Sequence, residues 1–176
     1  KIIVEPVGRN TAPAIGLATL KILATDPQAE IISMWADHYV GKPDELKATC
    51  QAGLEFISQQ PDYFVTVGIN PTEPDTGLGY IKMGDQLGEF ANRPVFKVKK
   101  FIEKPNLKKA KEFVTRWDYL WNSGYFIFRA EVMKKYFAQH CPVTLKTLTE
   151  FLAHPTKTAL YQDIKAEPID TAIIEK

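Results

Sequence analysis

The sequence predicts an open α/β sheet of mixed, mostly parallel strands flanked by helices, with a small β lobe over the sheet's carboxyl edge. Short apolar runs at residues 2–4, 31–35, 63–67 and 125–128 read as strands, and helical patterns separate several of them. That order favours parallel strands joined by right-handed crossovers. Residues 80–83 and 95–102 read instead as two paired strands joined by a polar connection at 84–94. With 176 residues, 45% of them hydrophobic and 24% charged, the chain is expected to form a single domain, 1–176, around one core.

The helices follow from periodicity and caps. Residues 11–24 place Ile15, Leu17, Ala18, Leu20, Ile22 and Leu23 on a broad apolar face, with Asn10 or Thr11 as the cap and Pro13 tolerated in the first turn. Residues 43–58 repeat the pattern through Leu46, Leu54, Phe56 and Ile57, opening on a proline and two acids and stopping at Gln59-Gln60-Pro61. Further helices are expected at 107–116, 130–139 and 144–152. In the last of these, Leu145, Leu148, Phe151 and Leu152 could serve an interface in a homo-oligomer or pack on the helix's own core, the simpler account.

Composition narrows the function. A net charge of +1 leaves no broad electrostatic footprint for nucleic acid, so an anionic ligand must be handled locally. No apolar run approaches the roughly 20 residues of a membrane span, and the start lacks the long apolar stretch of a signal peptide; a cytoplasmic protein without membrane partners is expected. Cys50 and Cys141 have no metal-ligand spacing and read as reduced thiols.

In an open α/β sheet, ligands gather at the carboxyl ends of strands. Glu5-Pro6-Val7-Gly8-Arg9-Asn10-Thr11 joins the first expected strand to the first helix, where backbone amides favour anions and polar ligands. A capped turn would use the same residue types, although a cap needs no cation such as Arg9. Asp37, in Ala36-Asp37-His38, follows the strand at 31–35, and Asp170 lies in Pro168-Ile169-Asp170-Thr171. Magnesium commonly takes one or two carboxylates plus substrate phosphates, so the two could share an ion. Spacing alone leans instead to a turn residue for Asp37 and the N-cap of a last helix for Asp170. His38 has no partner at zinc-ligand spacing and reads as a structural histidine. Asp75-Thr76-Gly77-Leu78-Gly79-Tyr80 precedes a strand, so its glycines mark either close backbone approach or a tight hairpin start, and neither a Rossmann fingerprint nor a P-loop. Most of the lysines between 97 and 111 read as solvated surface, but Lys104 sits between Glu103 and Pro105 at a strand end, where an ammonium can meet phosphate. Trp121-Asn122-Ser123-Gly124 turns an amide and a glycine out of an apolar run, which a packed core does not require.

These segments, in this order, resemble the bacterial mannose-1-phosphate guanylyltransferases, or GDP-mannose pyrophosphorylases, among the sugar-phosphate nucleotidyltransferases. The resemblance runs nearly end to end. Its anchors are residues 5–14, Ala36-Asp37-His38, residues 76–81, Phe101-Ile102-Glu103-Lys104-Pro105, Trp121-Asn122-Ser123-Gly124 and Ile169-Asp170-Thr171-Ala172. It implies the Rossmann-like nucleotide-diphospho-sugar transferase fold, with the β lobe over the sugar site. It further implies transfer of GMP from GTP to mannose 1-phosphate, giving GDP-mannose and pyrophosphate with Mg2+ assistance. On that footing Asp37 and Asp170 hold the metal. Glu5, Pro6, Arg9, Asn10 and Thr11 contact the nucleotide, Gly79, Glu103 and Asn122 the mannose, and Lys104 the sugar phosphate.

Three residues depart from the family pattern: Trp35 where proline is usual before Ala-Asp-His, Leu78 where tyrosine is common, and Thr171 where tyrosine usually follows the aspartate. The glycine-rich triphosphate loop with which the family opens has no match in this chain, so the resemblance implies a fragment lacking that loop with its strand and helix, inactive alone. Two alternatives stay open. One is a nucleotidyltransferase for another hexose 1-phosphate or nucleotide, and the other a non-catalytic sugar-nucleotide-binding subunit.

Overall fold

The computed structural model describes residues 2–176. Its helices are α1 (Thr11–Leu23), α2 (Pro43–Gln59), α3 (Leu107–Val114), α4 (Ala130–His140), α5 (Pro142–Ala153) and α6 (Thr158–Gln162), and its strands are β1 (Glu30–Ser33), β2 (Val65–Ile69), β3 (Tyr80–Phe90), β4 (Arg93–Ile102) and β5 (Tyr119–Arg129). A π-helical turn, Asp170–Ile174, follows. The chain forms two compact units, one from Lys1–Ile31 with Phe128–Lys176 and the other from Ile32–Ile127.

The strand order is β1-β5-β3-β4, and β2 also pairs with β5. The β2–β5, β3–β5 and β3–β4 pairs are all antiparallel, which corrects the expectation of a mostly parallel sheet. A right-handed crossover between two strands makes them parallel neighbours when it lays them side by side in the sheet. Here β1 and β2 each pair with β5 rather than with one another. Trp121 of β5 faces Ile69 of β2 on one edge and Tyr80 of β3 on the other.

In the Ile32–Ile127 unit, the apolar stripe of α2 meets the sheet through Cys50, Phe56 and Ile57, which cluster with Val67, Tyr125 and Ile127. Each large side chain buried in this way contributes about 1.5–3 kcal/mol. A second cluster joins Ala110 and Phe113 of α3 to Tyr80 and Tyr119. The expected polar connection at 84–94 is mostly strand. The β3–β4 hairpin runs to Phe90 opposite Arg93 and turns at Ala91 and Asn92, with φ of 45° and 59°. Positive φ at both central residues is the type I′ geometry that matches strand twist. Asp85, Gln86 and Glu89 face solvent, so the backbone ladder forms there without apolar alternation.

In the other unit, α1 opens on Asn10, whose Oδ1 accepts from the Thr11 amide at 2.8 Å. Its Leu17 packs with Leu148, Phe151, Tyr161 and Ile164. Leu148 and Phe151 of α5 are therefore core residues of this unit, and Leu152 packs beside them. The strand expected at residues 2–4 is absent, because nothing among the described residues pairs with it, and Ile2 and Val4 stay exposed. Both cysteines are free thiols. No helix among the described residues is long and apolar enough to cross a membrane.

Candidate active site

The Ile32–Ile127 unit brings three of the expected sugar contacts together. On β5, Asn122 donates its backbone N–H to the Gly79 carbonyl at 2.8 Å. Its side-chain Oδ1 accepts from Thr66 Oγ1 at 2.9 Å and from the Gly124 amide at 3.2 Å. A β-bulge turns the strand here: Thr66 pairs with Phe126 but Gly68 with Asn122, so Val67 alone faces residues 123–125. Ser123 fastens the bulge by donating to the Val67 carbonyl at 2.7 Å and accepting from the Tyr125 amide at 3.0 Å.

Gly79 is where a side chain cannot fit. A Cβ there would stand 2.6 Å from Glu103 Oε2 and 3.0 Å from Phe101 Cζ, so the bare backbone makes room for the carboxylate. Lys104 Nζ lies 3.4 Å from Glu103 Oε1, and the lysine holds φ at 42°, a left-handed value unusual for a side-chain-bearing residue. Its ammonium is mostly exposed, while Pro105 is buried and Asn106 caps α3 by accepting from the Lys109 amide at 3.0 Å. The chain thus locks the backbone around Lys104 and leaves its charge in solvent.

Asp37 belongs to the same unit, on the exposed turn after β1. Trp35 lies against Gly124, where a Cβ would meet Trp35 Nε1 at 2.2 Å. Gly124 has φ of 71°, so glycine is required there twice over. His38 Nδ1 is 2.9 Å from the Tyr125 hydroxyl, with the rings 5.3 Å apart and tilted. That partner fits a structural histidine. Burial pushes the Tyr125 hydroxyl above its ordinary pKa, and the negative charges of Asp37 and Cys50 add to the rise. Among the described residues no three side chains of His, Cys, Asp or Glu converge as a metal cluster.

The loop at 5–11 lies in the other unit, where the chain itself engages its polar groups. Tyr161 Oη donates to Glu5 Oε2 at 2.7 Å, and Arg9 Nη2 donates to the Gln162 carbonyl, leaving Arg9 Nε buried without a partner. Thr11 Oγ1 accepts from the Ile169 amide at 2.8 Å, and the Ala12 amide donates to the Glu167 carbonyl at 3.1 Å. The first turn of α1 thereby fastens the segment that ends at Asp170. Pro6 is exposed. Asp170 opens the π-helical turn, capped by Ile169 without a side-chain bond, so it is not the N-cap of an α-helix. Sequence reasoning missed Tyr161 and Gln162. α6 is only five residues long, too short for a periodic signal, and its partners lie more than 150 residues away.

The chain belongs to the nucleotidyl transferase family, whose sequence profile matches residues 1–165. Within it, the chain is similar to the mannose-1-phosphate guanylyltransferase of Escherichia coli K12, at 40% identity over 141 residues, covering 77% of this chain and 29% of the relative. It is also similar to that of Salmonella montevideo, at 42% identity over 132 residues, covering 74% and 27%. Among solved structures it resembles the mannose-1-phosphate geranyltransferase of Thermus thermophilus, with a TM-score of 0.85 and 28% identity, covering all of this chain and 50% of the other. The mannose-6-phosphate isomerase of Helicobacter pylori follows with a TM-score of 0.77 and 28% identity, covering 98% and 67%. The chain spans 27–29% of the length of the two guanylyltransferases named here.

Proposed function

We propose that the protein containing this chain transfers GMP from GTP to mannose 1-phosphate, releasing pyrophosphate and forming GDP-mannose. The observation that carries the reading is the convergence of Gly79, Glu103 and Asn122, with Lys104 beside them, in a chain whose guanylyltransferase relatives are named for this acceptor. An amide, a carboxylate and a backbone carbonyl present the mixed donors and acceptors that sugar hydroxyls need, and an exposed ammonium suits a phosphate.

In this reading Asn122 and Glu103 orient the mannose, and Lys104 steadies its phosphate as the phosphate oxygen attacks the α-phosphorus of GTP in line with the departing pyrophosphate. No protein nucleophile is required. Glu5, Arg9, Asn10 and Thr11 contact the guanine and ribose. A carboxylate accepts up to about four bonds and a guanidinium donates five, so the contacts to Tyr161 and Gln162 orient Glu5 and Arg9 without exhausting them.

Asp37 and Asp170 supply hard carboxylate oxygens, the donor type Mg2+ takes when phosphates and water complete its shell. An ion held by such carboxylates would neutralise charge developing on the phosphates. The test is product formation by the full-length protein from GTP and mannose 1-phosphate, with other hexose 1-phosphates and nucleoside triphosphates as competitors. The reading predicts GDP-mannose and pyrophosphate in equal amounts and loss of turnover in Asp37→Ala; normal turnover in that variant removes the metal assignment.

A further inference from the structure

Asp37 stands between two residues fastened to one strand, and we infer that Trp35 and His38 are positioning residues that hold its carboxylate in register with the Asn122 sugar contact. The inference rests on the role proposed above for Asp37. Every contact it uses lies within the Ile32–Ile127 unit.

The turn after β1 is exposed at Ala36, Asp37, His38 and Tyr39, so nothing in its own burial fixes where the Asp37 side chain points. The fixing comes from either side. Two residues before Asp37, the Trp35 indole lies on Gly124; one residue after it, His38 bonds the hydroxyl of Tyr125. Gly124 and Tyr125 are consecutive on β5, and the Gly124 amide donates to Asn122 Oδ1 at 3.2 Å. A short chain of contacts therefore runs from both flanks of Asp37 to the Asn122 side chain.

Core packing alone does not account for this arrangement. Trp35 does pack against the cluster of Phe56, Val67, Tyr125 and Ile127, but any large apolar side chain could do that. The close contact needs more: a bulge, a glycine at φ 71°, and an indole edge set where a Cβ would otherwise be. The His38–Tyr125 bond ties down a residue that is itself exposed, where burial gains little. Both contacts restrain the turn carrying Asp37 rather than its carboxylate directly, and groups that fix a metal ligand's orientation alter ion affinity when changed.

The test uses the full-length protein and reads the affinity for Mn2+–GTP from the electron paramagnetic resonance of Mn2+, which requires no turnover. Tyr125→Phe removes only the hydroxyl that His38 meets. It is expected to weaken Mn2+–GTP binding about tenfold and to lower kcat, with the KM for mannose 1-phosphate and the melting midpoint little changed. Trp35→Phe shortens the ring that covers Gly124 and is expected to act the same way, which keeps the inference testable should one variant fold poorly. Wild-type ion affinity in both folded variants overturns the inference. So does wild-type affinity in Asp37→Ala, which removes the metal role on which it depends. A wrong sugar assignment is distinguishable, since it appears only in the product assay and leaves the ion measurement intact, and a wrong nucleotide assignment shows as poor Mn2+–GTP binding already in the parent protein.

Discussion

Asn122 and Glu103 meet through Gly79: the Asn122 amide donates to the Gly79 carbonyl at 2.8 Å, while the missing Gly79 side chain leaves space that Glu103 Oε2 fills. Gly79 thus ties the Asn122 backbone through its carbonyl and admits the Glu103 carboxylate through its missing Cβ.

Gly79→Ala tests that close approach. The new methyl would fall 2.6 Å from Glu103 Oε2, the end of a flexible side chain, and 3.0 Å from Phe101 Cζ, so the carboxylate swings away and the ring yields slightly while the backbone stays put. Displacing a substrate-positioning group by about 1 Å can cost up to about 100-fold. The expected result is a rise of roughly tenfold or more in the KM for mannose 1-phosphate, with stability changed by less than about 1 kcal/mol, measured by steady-state kinetics and urea denaturation.

Gly124→Ala should behave in the opposite way. Its Cβ would meet the rigid Trp35 indole at 2.2 Å, and the backbone φ of 71° disfavours any side chain. Left-handed strain costs about 1–2 kcal/mol and overpacking about 1–3 kcal/mol. A loss of about 2–5 kcal/mol in urea denaturation is expected from their sum. A variant as stable as the parent would show that Trp35 does not rest on this residue.

Local features of the fold were legible in the sequence, and long-range ones were not. Asn10 and Pro13 announced α1, and Pro43 with its acidic neighbours announced α2, because caps and first turns act within a few residues. The pairing of β2 with β5 left no such trace, since its side-chain link from Thr66 to Asn122 spans 56 residues. Asp85, Gln86 and Glu89 hid the outer half of the hairpin because a solvated ladder needs no apolar pattern. In the site, the motifs carrying Glu103 and Asn122 stood out by residue type. The contact of Trp35 with Gly124 depends on a bulge that a period-two reading cannot register.

Acid should expose a separate anchor. Arg116 donates to both oxygens of Asp118 at 2.8 Å, and that hydrogen bonding, more than the attendant charges, holds the Asp118 carboxyl below its usual range. A depressed folded pKa means the pair's stabilisation is present above the unfolded value of about 3.9 and is lost as pH falls through the lower folded value. Asp118→Asn should therefore lower stability in the neutral region, where the parent has the pair intact, and flatten the acid side of the stability–pH curve below about pH 4, where the parent loses it. Denaturant titrations across pH 2–6 would reveal the difference.

Tyr161 provides the corresponding test at alkaline pH and reaches the loop assigned to the nucleotide. Its ring is fully buried, and burial first, then the hydrogen bond to Glu5, raises the hydroxyl well above its ordinary pKa. A raised folded pKa means stability is complete below the unfolded value of about 10 and declines as pH rises toward the folded value, because only the unfolded chain then gives up the proton. Tyr161→Phe removes that decline but also removes the donor that orients Glu5. Losing a hydrogen bond to a carboxylate is expected to cost about 1.5–3 kcal/mol at neutral pH. The variant should therefore start less stable at pH 7 and lose less between about pH 10 and 11.5 than the parent. Burial also raises Tyr119 and Tyr125, so part of the alkaline decline will persist. Because Glu5 is the ribose and guanine contact in the proposed reaction, the same variant should raise the KM for GTP several-fold while the KM for mannose 1-phosphate stays near the parent value. A uniform loss in both would instead identify Tyr161 as a core residue without a hold on the nucleotide loop.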